Sequence, residues 1–422
     1  MSRGNRHSNR HEAGSFSAFF GLVLPESPFL GPLKDKAQEV ITASAELEGR
    51  VAPDTAKAIG DLVRLINSYY SNLIEGHKTT LPEIRAALDE RLDGDEEQRY
   101  AQELCAAHVR AEKELMADLE AKPEVNVCSP EFLARIHSVF YGHLPEEHRF
   151  AHGRGGFTDV PVHPGVFRDR GVGIGSRGQI GPSQDQLPAC LDEFDKAYAP
   201  GAHHGDERLI AMAASHHRLT WMHPFRDGNG RVSRLHSGLY MARAGVNRAN
   251  LWSLSRGLSR SKAEYMTNLM ATDSSLPGSP PGWSPSELLA DFVDFFLDVC
   301  LDQIAFMKRL LRLEDIESRI EFYVATRSRT TGDPMRPEAA RLLRAVFMHG
   351  AVQRGEAMEI MNLGERVARQ VVSMLISQGL LTSTSHKARL TIGFPDDALP
   401  YYFPALVDPS VIGGEYVPRL AE

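Results

Sequence analysis

His223-Pro224-Phe225-Arg226-Asp227-Gly228-Asn229-Gly230-Arg231-Val232-Ser233-Arg234 carries the densest chemistry in the chain. Gly228 and Gly230 can take positive φ without Cβ strain, so successive backbone N–H groups can point inward as an anion nest ahead of a helix. Arg231 and Arg234 stand one turn apart on that helix, and their planar forks match phosphate oxygens. Asp227 offers the hard oxygen that Mg²⁺ prefers, with phosphate and water completing the shell. His223 titrates near neutrality and can accept a hydroxyl proton. Taken singly, Asp-Gly-Asn-Gly is ordinary turn vocabulary and His-Pro an ordinary helix stop. Together they describe a nucleotide phosphate site.

The segment fits HxFx(D/E)GNGRxxR at each defined position and so resembles the signature of Fic-domain proteins. The resemblance implies a mainly α fold, a helical Fic core with a short β-hairpin flap. It also implies an enzyme that uses Mg²⁺ and transfers AMP from ATP to a side-chain hydroxyl of a protein. By position, it makes His223 the general base, Phe225 the anchor of the loop in the core and Asp227 the Mg²⁺ ligand. Asn229 and Gly230 would line the phosphate nest beside Gly228, with Arg231 on the inner phosphates and Arg234 on the γ-phosphate. Doc-like relatives, which transfer phosphate, have lysine where Gly230 stands.

Far upstream, Ser71-Asn72-Leu73-Ile74-Glu75-Gly76 is similar to the (S/T)xxxE(G/N) inhibitory motif of Fic proteins that carry their own brake. The resemblance implies that Glu75 pairs with Arg234 and blocks the γ-phosphate. Local physics is compatible. Leu62, Leu65, Ile66, Tyr69 and Leu73 follow helical spacing, which predicts a helix over 61–75 with Ser71 and Glu75 on the face opposite the apolar residues. Glu75 would end that helix just before Gly76, where the macrodipole disfavours a carboxylate and a cation would relieve it.

The flap falls in a Gly-, Pro- and Val-rich stretch, 152–182, the one clearly non-helical part of the central region. Val166, Phe167 and Arg168, followed by Val172, Gly173 and Ile174, resemble the Fic flap, along whose edge a target segment can add as a strand. The tyrosine and double proline frequent beyond that flap are absent around Ile180-Gly181-Pro182.

Composition bounds the rest. Lys and Arg number 47 against 55 Asp and Glu, a net charge of −8, so no whole-chain attraction to nucleic acid or anionic membrane is expected. Four cysteines without CxxC spacing read as reduced thiols in a cytoplasmic protein. Nothing approaches an uncharged eighteen-residue apolar run, so no membrane partner is expected. His216 and His217 lie next to each other on the helix leading to His223 and point in different directions, which argues against a metal cluster.

Along the chain, 1–14 reads as a flexible tail and 15–120 as mainly helical, with a capping box at Thr80–Glu83 and an acidic stretch at Asp89–Glu97 that reads as a solvated connection or a helix surface. The catalytic core spans 121–310, a linker helix 311–335, and 395–422 a tail. Residues 336–394 read as a winged helix, with helices over Pro337–Met348, Gly355–Met361 and Gly364–Gln378 and a wing over Leu380–Ile392. This stretch holds eight Lys or Arg against four Glu, with Arg366, Arg369 and Gln370 on the outer side of the third helix.

These readings converge on an autoinhibited protein adenylyltransferase acting on a Ser, Thr or Tyr hydroxyl of a target protein or of itself. Two alternatives stay open: a DNA-binding regulator whose pocket senses nucleotide, and removal of AMP from a modified protein with Glu75 positioning water. DNA or a protein at the winged helix, and a second copy of the chain, are candidate partners.

Overall fold

A computed structural model describes residues 16–153, 156–171, 181–277, 284–329 and 335–406. The chain enters through an antiparallel pair, β1 (Phe16–Ser17) and β2 (Gly21–Leu22), that places Phe20 and Val23 in the core. In α1 (Leu30–Gly49) the buried residues Leu33, Ala37, Val40, Ser44 and Leu47 form one helical stripe. Helix α2 (Pro53–Glu75) begins with proline, whose missing N–H costs nothing there, and stops at Gly76 with φ 100°. It starts well before the expected Asp61, and its polar Ser68, Ser71 and Asn72 are as buried as its aliphatic residues. The C-terminal half of α2 is therefore covered on both faces, while Lys57 and Asp61 nearer its start remain exposed.

The expected capping box opens α3 (Leu81–Leu88): Thr80 N donates to Glu83 Oε2 at 2.7 Å, and Thr80 Oγ1 accepts from Glu83 N at 3.4 Å. A second box, Asp95 with Gln98, starts α4 (Glu96–Ala121) inside the acidic stretch, which is therefore a connection up to Asp95 and helix surface from Glu96. Ser129 caps α5 (Pro130–Gly142). The antiparallel hairpin β3 (Phe150–Gly153) and β4 (Gly156–Pro161) follows. The strand pair thus lies upstream of the residues that resemble the flap: Val166, Phe167 and Arg168 form no ladder, and Val172, Gly173 and Ile174 fall outside the described residues.

The helical core continues with α6 (Leu187–Tyr198), α7 (Glu207–Met222), α8 (Asn229–Arg243), α9 (Leu254–Arg260), α10 (Lys262–Thr272) and α11 (Pro285–Leu310). Helix α11 lies along α1 and α7, α7 packs on α8, and α2 packs against α4, α8 and α9. The signature loop is thereby the tight link between two buried helices, with α2 crossing beside it. Among the described residues no helix is long and apolar enough to cross a membrane.

Beyond the core, α12 (Leu313–Ser328) buries Ile316, Ile320, Tyr323 and Val324, so it is an integral layer rather than a bare linker. Then come α13 (Ala339–His349), β5 (Ala351–Val352), α14 (Ala357–Met361), α15 (Glu365–Ser377), β6 (Leu381–Thr382) and β7 (Leu390–Ile392), the strands forming an antiparallel sheet in the order β5-β7-β6. A last helix, α16 (Leu399–Tyr402), buries Leu399 and Tyr402 with Phe403 and Leu406, which puts 395–406 in the core and not in a tail. On α15, Arg366, Arg369 and Gln370 are exposed as expected, but Arg369 is tied to Glu365 one turn away. The C-terminal module docks on the first turn of α2. Thr55 Oγ1 donates to the Phe347 carbonyl at 2.7 Å, and Arg389 lies 3.4 Å from Asp54.

Candidate active site

Helix α7 ends at His223, which adopts φ 48° and ψ 59°, a left-handed conformation costly for a residue with a Cβ. Its N–H donates to Leu219 O at 3.1 Å, while its carbonyl accepts from Arg168 Nε at 2.8 Å. Arg168 also donates from Nη2 to Pro182 O at 2.6 Å and from its backbone N–H to Pro224 O at 2.9 Å. Only 4% exposed, it braces the loop from inside instead of facing a target as its place in the flap suggested. Its neighbour Val166 points outward, and Phe167 stacks on Phe225 with centroids 5.2 Å apart.

Phe225 is fully buried, sandwiched between Phe167 and His137, the latter nearly parallel at 4.0 Å; His137 in turn stacks on Tyr141 at 4.5 Å. Asn229 closes the loop across this anchor: its Oδ1 accepts from Phe225 N and its Nδ2 donates to Phe225 O, both at 2.9 Å. The asparagine side chain therefore shapes the turn rather than lining a nest with its own polar atoms.

The two glycines do different work. Gly228 has φ 76°, and a Cβ there would come within 2.7 Å of the Tyr141 ring. Gly230, expected to share that conformation, is ordinary helix in the first turn of α8. What it lacks room for is a side chain, because a Cβ would overlap Glu75 Oε1 and sit 3.1 Å from Arg234 Nη1.

Arg231 is 3% exposed, with Nη2 3.6 Å from Asp227 Oδ1 and its guanidinium 5.3 Å from the Phe140 ring centroid. Its Nε and Nη1 make no hydrogen bond. Burial works against its charge, but Tyr141, Asp227, Tyr100 and Glu75 outweigh that and hold the group cationic. Buried donors left unpaired cost about 1–3 kcal/mol each, so the pocket suits an acceptor-rich anion. Asp227 Oδ1 accepts from Gly228 N at 2.6 Å, keeping a carboxylate beside those donors. Among the described residues no three His, Cys, Asp or Glu side chains gather to hold a metal. A single carboxylate next to a buried arginine with unpaired donors fits Mg²⁺, which takes its other ligands from phosphate and water.

Arg234 is engaged from the far side. Its Nε donates to Ser71 Oγ at 2.8 Å, and its Nη2 donates to Ser71 O at 3.0 Å and to Glu75 Oε1 at 2.6 Å. The Glu75 side chain is 34% exposed against 1% for Arg234. Burial raises the carboxyl's pKa, but Arg234 and Arg231 more than reverse this, so Glu75 titrates below the usual carboxylate range.

His223 Nδ1 faces the Thr220 carbonyl at 3.4 Å, which favours the proton on Nδ1 and leaves the lone pair on Nε2. Burial pulls its pKa down to about 4, so the imidazole is neutral at physiological pH. The other two histidines have structural partners. His216 spans Ser237 Oγ at 2.8 Å and Tyr265 Oη at 2.7 Å, and His217 faces Asp273 at 3.2 Å. Tyr141, His137 and Arg168 support the loop in ways no local sequence pattern announces. The helical spacing of His137 and Tyr141 on α5 was the available signal.

Residues 127–241 match the model of the Fic/DOC family. Protein adenylyltransferase Fic of Drosophila persimilis is 28% identical over 178 residues, 42% of this chain and 31% of that protein; the Drosophila melanogaster protein of the same name matches to the same identity. The chain thus spans about a third of the length of these curated relatives. Among solved structures, a Fic family protein from Desulfovibrio desulfuricans superposes with a TM-score of 0.50 at 19% identity, covering 87% of this chain and 96% of that one. Residues 134–508 of Fic-1 from C. elegans give 0.51 at 17% identity, covering 68% and 76%. At such identities the likeness speaks to fold alone. The chain is accordingly a mainly helical protein of the Fic fold whose residues 127–241 are similar to the Fic/DOC family and, distantly, to proteins named protein adenylyltransferase Fic.

Proposed function

We propose that the chain is a protein adenylyltransferase held in check by its own helix α2. The observation that carries the reading is a buried Arg231 with two unpartnered nitrogens beside Asp227, next to an Arg234 already taken by Ser71 and Glu75. His223 Nε2 would take the proton from a Ser, Thr or Tyr hydroxyl. The oxygen then bonds to the α-phosphorus of ATP while the bond to the β-phosphate's bridging oxygen breaks. Arg231 would hold the departing pyrophosphate, and Arg234, once released, would orient the γ-phosphate. Mg²⁺ at Asp227, when bound, supplies further charge neutralisation across the phosphates. Most of the rate would come from positioning and fixed charge.

The test is to incubate the chain in lysate with ATP labelled at the α or the γ position. Incorporation of the α label alone supports adenylyl transfer, and incorporation of the γ label would replace it with phosphotransfer.

A further inference from the structure

A cleft of about 750 Å³ opens at the seam between α2, the α3–α4 pair and the strands β6 and β7. Its floor is apolar, with buried Leu62, Leu65, Val109 and Phe394. Its walls carry Lys57 and Arg64 from α2, Arg85 from α3, and Arg110 and Lys113 from α4. The opposing carboxylates are already taken: Asp61 lies 2.6 Å from Arg64 and Asp54 3.4 Å from Arg389. Arg85 pairs with Asp396 at 2.8 Å and donates to Phe394 O at 2.9 Å, while Arg110 donates to Leu88 O at 3.0 Å, so the charge in excess sits on Lys57, Arg110 and Lys113. Among the described residues no carboxylate pairs with Lys57, Arg110 or Lys113. The hydroxyls of Thr382 and Thr391, 2.7 Å apart, line the remaining side.

We propose that this cleft binds a small phosphate ester, a molecule with an apolar body and one or more phosphates. The volume lies within the roughly 300–1,000 Å³ typical of small-ligand sites. Excess positive charge, partly fixed by backbone bonds, suits phosphate oxygens, while the leucine and phenylalanine floor suits the organic part. A nucleic-acid duplex carries its phosphates on a convex surface and does not enter a cleft walled on three sides. A ligand here touches α2 and the C-terminal module at once, so it prefers the arrangement in which α2 stands as described, with Glu75 on Arg234. Its binding therefore deepens the inhibition. That consequence rests on reading Glu75 as a brake, whereas the site itself does not.

Binding and inhibition are measured separately. In the full chain with Arg231→Ala, which weakens the nucleotide pocket of the core, fluorescent N-methylanthraniloyl-GDP should bind saturably below about 1 mM. Pyridoxal 5′-phosphate should compete if the apolar body is interchangeable, and inorganic pyrophosphate should compete only weakly. Adding Lys57→Glu and Lys113→Glu should weaken binding about tenfold or more, the scale of a lost charge-assisted contact, with unchanged circular dichroism. Binding unaffected by the charge reversals, or no saturable binding, overturns the site. With Arg231 intact, the GDP probe should lower self-modification more in the natural chain than in the doubly reversed one. Binding without that difference overturns the coupling to the brake and leaves the site standing.

Discussion

Glu75 occupies the space that any side chain at position 230 would need: a Cβ on Gly230 would overlap its Oε1. The absence of a side chain at one residue is what lets the carboxylate of another, more than 150 residues earlier, reach Arg234. Gly230→Ala should therefore push Glu75 aside, the neighbour being the mobile end of a side chain. Self-modification with α-labelled ATP should rise, by less than on removing Glu75. In a Glu75→Gly background the same substitution should add little. Additive gains from the two changes would show that they act through different contacts.

Removing Glu75 is the direct test of the brake. Glu75→Gly should raise AMP transfer about tenfold or more, at a folding cost limited to about 1–3 kcal/mol, because Ser71 Oγ and O still accept from the buried Arg234. Adding Arg234→Ala should cancel the gain, because the released group is then missing. An unaltered rate in Glu75→Gly would sink the inhibitory reading. Loss of an AMP-removing activity in that variant would instead favour the reverse reaction.

His223→Ala should reduce transfer by about 10² to 10⁴ with ATP binding largely kept, since the base acts on the acceptor hydroxyl. The pH profile is equally specific. The active form is the neutral imidazole, whose pKa burial lowers to about 4. Activity should thus be retained as pH falls through about 6.5, the ordinary histidine value, and decline only towards 4. Measured in Glu75→Gly to keep the brake out of the profile, an inflection near 6.5 would contradict this placement of the ring.

Arg168 should behave as a positioning residue. Arg168→Ala removes the guanidinium donors that hold the His223 and Pro182 carbonyls and keeps only the backbone N–H to Pro224 O, so kcat should fall with KM for ATP nearly unchanged. Lost hydrogen bonds from a charged donor should also lower stability by about 1.5–3 kcal/mol each, seen as a reduced Tm. Arg168→Lys should rescue little, because one ammonium cannot reach the carbonyls the planar fork spans. A fall in KM-dependent ATP affinity with unaltered kcat would assign Arg168 to the nucleotide instead.

The loop from His223 to Arg234 was legible because each residue's requirement is local: a backbone free at Gly228, a carboxylate at Asp227, arginines one turn apart. The link between Ser71, Glu75 and Arg234 came only through resemblance to a family, since periodicity placed two of them on the polar face of a helix without saying what covers it. Arg168 was misassigned because a guanidinium in a glycine-rich stretch reads as exposed. Only packing shows that it turns inward. The stacking of Phe225 on His137 joins separate helices, beyond any windowed pattern. Strand β5 has two residues, too few for alternation to register, and the second capping box at Asp95 was obscured by the charges around it.

Helix α2 is one continuous helix whose two ends have different companions, the C-terminal module at Thr55 and the signature arginine at Glu75. Its 23 residues span about 34 Å at 1.5 Å per residue. It therefore works as a lever. A tilt of roughly 4° about the Thr55 end would carry Glu75, about 30 Å away, by about 2 Å, enough to stretch a hydrogen bond past its useful range. Small adjustments where the module rests on α2 are magnified at the opposite end, so the position of the Glu75 carboxylate is set by the fulcrum as much as by the two charges that meet there.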